Sequence, residues 1–307
     1  RVPFRLRDKL KNTLAAMENL GAITKVREAT EWVHPIVTVL KPNGDLQVCL
    51  DPSQLNKCIK REHFSLPTAS EIFSSLSGST VFSTLDATSG FLQLELDEDS
   101  RKLTTFATPF GRYRFLRLPF GISSAPEGFH RTVVELFGDL EGVEIYIDDL
   151  LVHGKNQVEH DARLLAVLER CRKVNLRLNQ KKCKISQQEI KYLGHIIRSG
   201  HMEIDPGRVA AILAMPKPDT KESLSRFLST VQYSAKFLPN LSDVAAPLWK
   251  LTSKDTVWAW ERKHEEAWSK LKDMLSQCPA LALFDPNRPV TLSVDACQHG
   301  LGAVLLH

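Results

Sequence analysis

The sequence predicts an α+β fold, and three observations carry that reading. Helix-period and strand-period segments are mixed along the 307 residues, with hairpin signals between strands. The regular strand–helix–strand alternation of a doubly wound parallel sheet is missing. The 43% hydrophobic content, with only 15 Gly and 16 Pro, suits a packed core and excludes a disordered or collagenous chain. The length corresponds to two domains at about 150 residues each.

Residues 8 to 20 have helical spacing, with Leu10, Leu14, Met17 and Leu20 in register and Gly21 as a stop. Pro35–Leu40 reads as a strand, Lys41–Gly44 as a turn and Leu46–Leu50 as the antiparallel return. Val81–Asp86 is a further strand that ends in the polar break Thr88-Ser89-Gly90, and Phe91–Leu96 continue with strand alternation. Phe110-Gly-Arg112 turns a hairpin between 104–108 and 113–117. A helix is predicted over 127–137, then strands 143–147 and 150–153 around Asp148-Asp149. Residues 158–176 form an amphipathic helix with Ala162, Leu165, Leu168 and Cys171 near one face. Pro206, Pro216 and Pro218 punctuate a second half with helices over 221–238 and 261–278, and strands 290–294 and 302–306 close the chain. Boundaries are placed near 200 and 280.

The net charge of +4 hides its distribution. Between Arg170 and Lys191 stand eight basic residues against the single acid Glu189, and residues 1 to 30 carry seven against three. Such clustering is the footprint of a polyanion partner, with a solvated helix face as the bland alternative. The six cysteines form no Cys-x-x-Cys pair and no zinc-ligand cluster, and read as buried thiols of a reducing interior. No run of about 18 apolar residues exists to span a membrane, and Arg1–Arg7 contain no secretory core. The apolar ending Ala303–His307 has no turn after it, so a cut from a longer chain is expected.

The sharpest chemical feature is Tyr146-Ile-Asp-Asp149 inside an apolar hairpin. Adjacent acids beside a core repel each other and lose hydration unless a cation neutralises them. The alternative is a solvent-facing Asp turn. Asp86 ends its own apolar strand in the same manner, and side-by-side strands would bring three carboxylates to one sheet end. Hard oxygen ligands with open positions suit Mg²⁺, and two such ions clamp an in-line phosphoryl displacement. Other templates fail: there is no aspartic-protease Asp-Thr/Ser-Gly, no P-loop and no Gly-x-Ser-x-Gly elbow. Asp97-Glu98-Asp99 lacks a calcium-loop glycine and reads as a solvated turn.

Four segments stand in order: Leu85-Asp-Ala-Thr-Ser-Gly-Phe91, Phe106-Ala-Thr-Pro-Phe-Gly-Arg-Tyr-Arg-Phe-Leu-Arg-Leu-Pro-Phe-Gly-Ile122, Tyr146-Ile-Asp-Asp149 and Tyr192-Leu-Gly-His195. Together they resemble the reverse transcriptase of gypsy-type long-terminal-repeat retrotransposons, over nearly the whole chain. The resemblance implies a right-hand polymerase with fingers and palm over 1–197, a thumb over 198–258 and a connection over 259–289. It also implies the truncated start of an RNase H-like domain at 290–307. It implies an RNA-directed DNA polymerase that extends a primer 3′-OH with dNTPs, using two Mg²⁺ ions with Mn²⁺ as an allowed alternative. The implied partners are an RNA template, a DNA primer and their hybrid, together with the other Pol segments: protease, RNase H and integrase. The implied setting is a cytoplasmic virus-like particle, with no membrane.

Carried over position by position, Asp86, Asp148 and Asp149 match the metal ligands, and the Ala87 backbone carbonyl would meet the second ion. Phe91 matches the aromatic gate against a ribose 2′-OH, where an ordinary core aromatic is the alternative. Lys41 matches the triphosphate lysine, and Leu118-Pro-Phe-Gly121, with Phe120 and Gly121 toward the nucleotide, matches the loop on the template-primer side of the nucleotide pocket. Tyr192, Leu193, Gly194 and His195 match the primer grip. Lys182 lies near the family's Lys-Cys motif, either to protonate pyrophosphate or as a plain phosphate contact. Gln47 departs from the Arg usual there, losing charge and planar fork. Asp295 matches the first RNase H carboxylate, so no RNase H activity is expected of a site left incomplete. The competing readings are a weakened or inactive template-primer binder, and a domesticated interaction protein that keeps the fold.

Overall fold

Short antiparallel hairpins and amphipathic helices build two units. The computed structural model describes residues 2–40, 44–60, 64–285, 288–297 and 300–306. One unit comprises Arg1–Thr68, Ser83–Val152 and Val158–Ile185, and the other Ala69–Phe82, His153–Gln157 and Ser186–His307.

In the first unit the helix Arg7–Asn19 buries Leu10 and Leu14, and Gly21 takes the left-handed conformation (φ 65°) that ends it. These leucines pack on Ile23, Phe106, Tyr113 and Phe115 of a three-stranded sheet, and on Leu46, Val48 and Leu50. That sheet runs Ile23–Val26, Gly111–Phe115, Thr105–Thr108 in spatial order. The hairpin Ile36–Leu40/Leu46–Leu50 has Val39 opposite Gln47; its turn residues 41–43 lie outside the described residues. A second core joins Leu85, Phe129, Val133, Phe137, Leu150, Val152, Leu164 and Val167. It underlies a sheet ordered Val143–Tyr146, Asp149–Gly154, Val81–Asp86, Lys184–Gln187. The helix Ala125–Phe137 carries Pro126 in its first turn, where no backbone donor is missed. It turns Ala125, Phe129, His130, Val133 and Phe137 inward.

Three expectations need correction here. Residues 91–96 do not continue as a strand: Ser89 turns left-handed (φ 49°) and Gly90–Gln93 form a 3₁₀ turn. That turn sets Phe91 against Phe120 and Phe129. The helix Gln157–Lys173 buries His160, Leu164, Val167 and Cys171, whereas Leu165 is 57% exposed. The inner face departs from the apolar spacing because a polar residue, His160, fills a core position, its ring satisfied by Ser83 Oγ at 2.8 Å. Asp97 is no bare turn; it accepts from Ser100 N–H and caps the helix Glu98–Leu103.

The second unit holds an antiparallel meander of Glu189–Tyr192, His195–Arg198, His201–Ile204 and Leu281–Ala282. The helices Ala69–Ser75, Pro206–Leu213, Lys221–Gln232, Leu241–Thr252 and Arg262–Ser276 accompany it. The predicted helix over 221–238 ends at Gln232, and Ala235–Phe237 continue as a 3₁₀ turn. Tyr233 leaves the helix to donate its hydroxyl to the Leu193 carbonyl at 2.8 Å. The helix Pro206–Leu213 has Asp205 as its N-cap and Pro206 at its first position. The hairpin Thr291–Cys297/Gly300–Leu306 completes the described chain.

His195 is buried at 2% exposure within this unit, against Phe73, Tyr233 and Phe237. Burial, and then Lys236, push its imidazole down from 6.5 to about 4. The unfolded chain therefore binds more protons between those values, and the stability present above pH 6.5 drains away as pH falls towards 4. At 1.36 kcal/mol per unit the loss reaches roughly 3 kcal/mol. In urea titrations His195→Phe is expected to flatten this acid slope; an unchanged slope would remove His195 as its source.

Candidate active site

Asp86 closes the strand Val81–Asp86, and the backbone beyond it is fastened at once. Asn179 N–H donates to the Asp86 carbonyl at 2.8 Å, Ala87 bridges Leu178, and Thr88 N–H donates to Arg177 at 2.9 Å. Gln93 locks both sides, donating to the Thr88 and Arg177 carbonyls and accepting from Arg177 N–H. The following turn, with Lys182 and Cys183 N–H both on the Asn179 carbonyl, delivers Lys182 Nζ to Asp86 Oδ2 at 3.0 Å. These two residues are 96 apart in the chain.

Asp148 and Asp149 belong to a two-residue hairpin, since Tyr146 stands directly opposite Asp149. The turn residues are Ile147 and Asp148, and Ile147 is left-handed (φ 56°). A positive φ at that position is the place of glycine; in a β-branched residue it is strained by about 1–3 kcal/mol. The Ile147 N–H donates to Nδ1 of His130, at 3.2 Å. Burial raises the Asp149 carboxyl to about 6, and the negative charges of Asp148 and Asp86 add to the shift while Lys182 opposes it. The Asp86 bond and the same three acids hold Lys182 above its ordinary value.

The acids thus share one electrostatic field that Lys182 only partly neutralises. Among the described residues no three Asp, Glu, His or Cys side chains stand close enough to hold an ion as they are. The donor set nonetheless fits a hard divalent cation: three carboxylates, one of them kept reluctant to ionise by burial and by its neighbours.

Beside the acids, Phe91 rests against Phe120 and Phe129, both at 5.4 Å between ring centroids. Gly90 is required beneath them, because a Cβ there would come within 2.9 Å of Phe129 Cζ. Phe120 and Gly121 are tied to the Leu46–Leu50 strand through Leu50 N–H on the Phe120 carbonyl at 3.2 Å. Gly121 (φ 110°) lies so near the Leu50 carbonyl that no side chain fits. Asn56, which sequence reasoning missed, donates to the Gly121 carbonyl and accepts from Ser123 N–H, both at 3.0 Å. A lone polar residue in a loop carries no signal in sequence that would have singled it out. Gln47 sits half-buried on the same strand, and Lys41 lies outside the described residues.

The second unit holds the segment Tyr192–His195. Leu193 and Gly194 both have positive φ (45° and 71°) and make the tight turn between paired Tyr192 and His195. The Leu193 carbonyl accepts from His195 Nδ1 at 2.7 Å and from Tyr233 at 2.8 Å. Arg208 stacks 3.9 Å over the Tyr233 ring. Asp295 is exposed on its hairpin, opposite Gly302.

Of the basic run, Arg170 makes a bidentate pair with Asp139 at 2.8 Å, and Lys191 pairs with Asp205. Arg172, Lys173, Arg177, Lys181 and Lys184 stand exposed. A Ser83–His160–Asp161 line does exist, at 2.8 and 2.9 Å, but Ser83 and His160 are fully buried and no substrate reaches them.

A family model described as reverse transcriptase (RNA-dependent DNA polymerase) matches residues 39–197, more than half of the chain. The chain belongs to the reverse transcriptase family. A second model, an RNase H-like domain found in reverse transcriptase, matches residues 260–307. Among curated relatives of this family member, the retrovirus-related Pol polyprotein from transposon 297 of Drosophila melanogaster is 30% identical over 97% of the chain. That from transposon 412 of the same fly is 32% identical over 90% of the chain, and the Tf2-3 polyprotein of Schizosaccharomyces pombe 30% identical over 88%. The chain spans 29%, 23% and 20% of these relatives' own lengths. Among solved structures, the foamy viral protease-reverse transcriptase in complex with double-stranded DNA superposes with a TM-score of 0.89. It is 22% identical, covering 97% of this chain and 52% of that one. The RNA/DNA hybrid complex gives 0.83 at 20% identity, covering all of this chain and 44% of that one. The right-hand reverse transcriptase fold is thereby established.

The raised Asp149 carboxyl makes a stability prediction. Its folded value near 6 exceeds the unfolded 3.8, so the ionised form costs stability above pH 6, and the cost vanishes below 3.8. Asp149→Asn is therefore expected to stabilise the metal-free chain by about 1–3 kcal/mol at pH 7.5 and by almost nothing at pH 3.5. Chemical denaturation at the two pH values checks this; equal stability at pH 7.5 would refute it.

Proposed function

We propose that the chain is the RNA-directed DNA polymerase segment of a retrotransposon Pol polyprotein, extending a DNA primer along an RNA template with dNTPs. The observation that carries this reading is the strained Tyr146–Asp149 turn, which holds Asp148 and Asp149 in one electrostatic field with Asp86. The Ser83–His160 pair offers a hydrolytic alternative no exposed nucleophile, since both residues are fully buried.

Asp86, Asp148, Asp149 and the Ala87 carbonyl would hold two Mg²⁺ ions, or Mn²⁺ in their place. When bound, the ions supply charge neutralisation at the attacking and leaving oxygens of an in-line displacement. The remaining roles fall to the chain itself. Phe91, wedged between Phe120 and Phe129, is a rigid ring suited to excluding a ribose 2′-OH. Phe120 and Gly121 are assigned to the nucleotide side and Gln47 to the base, and the triphosphate role of Lys41 rests on the family resemblance alone. Lys182, kept cationic by its acidic neighbours, serves the departing pyrophosphate as a proton donor or phosphate contact. The Tyr192–His195 turn would hold the primer terminus, its Leu193 carbonyl doubly anchored.

In domain terms we assign fingers and palm to 1–197, thumb to 198–258, connection to 259–289 and the opening of an RNase H-like domain to 290–307. The family match that ends at residue 197 supports the first boundary. Asp295 is assigned to the first carboxylate position of an RNase H-like domain, whose family model matches 260–307. The exposed Arg172, Lys173, Arg177, Lys181 and Lys184 suit a phosphate backbone partner. No helix of the described residues is long and apolar enough to cross a membrane, and we place the protein in the cytoplasm, within a particle with other Pol segments. The intact carboxylate set argues against a relic or a domesticated binder.

Mg²⁺-dependent extension of a DNA primer on an RNA template tests this, with Asp148→Asn as the inactive control. Binding of the hybrid should fall steeply with salt. Gln47→Arg restores a charge-assisted contact worth about 1.5–3 kcal/mol. It is expected to raise kcat/KM for dNTPs by roughly one to two decades at 1.4 kcal/mol per decade. An unchanged value would show that Gln47 costs the enzyme nothing.

A further inference from the structure

The Tyr146–Asp149 turn is strained at Ile147, and a buried histidine side chain reaches it. Ile147, one residue before Asp148, is left-handed (φ 56°), and among the described non-glycine residues with positive φ it is the β-branched one. Such a conformation persists only where the surroundings impose it. His130 lies on the inner face of the helix Ala125–Phe137, is 1% exposed, and accepts the Ile147 N–H on Nδ1 at 3.2 Å. The Phe64 ring meets it edge-on at 5.7 Å. We propose that His130 is a positioning residue: by accepting the Ile147 N–H it holds the turn in its left-handed form and so sets the place of Asp148.

Two further observations agree. Burial holds the His130 imidazole below its ordinary value, so the Nδ1 lone pair is available at neutral pH and the proton resides on Nε2. The neighbouring residue on the same helix, Phe129, seats Phe91, so one helix turn serves both the aromatic gate and the acid turn. The inference rests on the polymerase reading for its kinetic consequence, but not for its structural one.

The test uses the 307-residue chain with His130→Leu, which removes the acceptor, and His130→Asn, whose side-chain oxygen can stand where Nδ1 stands. Loss of a buried hydrogen bond that leaves its donor orphaned corresponds to about one to two decades. His130→Leu is expected to lower the kcat of primer extension by that amount while the dNTP KM stays within about threefold. It is also expected to weaken Mn²⁺ binding, followed by electron paramagnetic resonance without nucleic acid, by roughly tenfold, about one such decade. His130→Asn should recover most of both. Ile147→Gly, which accepts positive φ freely, should make His130→Leu several-fold less harmful than in the parent chain. Equal losses in the two backgrounds, or a His130→Asn chain as impaired as His130→Leu, would overturn the proposal. Should His130→Leu fail to fold, the Mn²⁺ affinity of His130→Asn decides: a value near the parent's supports the proposal and a tenfold loss overturns it. A parent chain that extends no primer defeats the polymerase reading, and the Mn²⁺ measurements still decide this one.

Discussion

Repulsion among Asp86, Asp148 and Asp149 is the constraint around which the first unit is arranged. Carboxylates sharing a half-buried site lose hydration and oppose one another, so they stay together only if the backbone around them is held from elsewhere. On the Asp86 side the holding is done by backbone pairing with Arg177–Asn179, reinforced by Gln93. On the Asp148 side it is done by hairpin register and by the His130 bond to a strained residue. Lys182 supplies part of the missing positive charge. The remainder is an electrostatic demand that a divalent cation would meet.

The helix Ala125–Phe137 links this demand to the hydrophobic core. Phe129, Val133 and Phe137 anchor it among Leu85, Leu150 and Val152, the residues of the strands that carry the acids. From that anchor Phe129 supports Phe91 and His130 supports Ile147, so core packing is transmitted directly to the site. The close approach of Phe129 to Gly90, and of Gly121 to the Leu50 carbonyl, leaves no room for side chains at either glycine. Backbone proximity of this kind limits the motion of the pocket walls and makes the site a rigid feature of the fold.

Much of this was legible in the sequence where local chemistry decides. The strands Val81–Asp86 and Leu46–Leu50 and the hairpin around Asp148-Asp149 follow from short apolar runs bounded by polar residues. The helix Arg7–Asn19 follows from leucine spacing and a glycine stop. Reading failed where a polar residue took a core position or an apolar one left it. His160 turned the inner face of its helix, Tyr233 ended a helix early to reach a carbonyl, and Phe91 broke strand alternation to join an aromatic cluster. Each of these partners lies far away in the chain, and periodicity carries no record of them.

The sequence by itself determined the order of the motif segments and the turns that bound them, because motif spacing, turn residues and apolar period act within a few positions of each other. Only the tertiary structure decided which of them meet: Lys182 with Asp86, His130 with Ile147, Asn56 with Gly121, Ser83 with His160. The physical reason is that those bonds form only after distant segments pack. Their geometry is set by the shape of a common core rather than by any local preference of the chain.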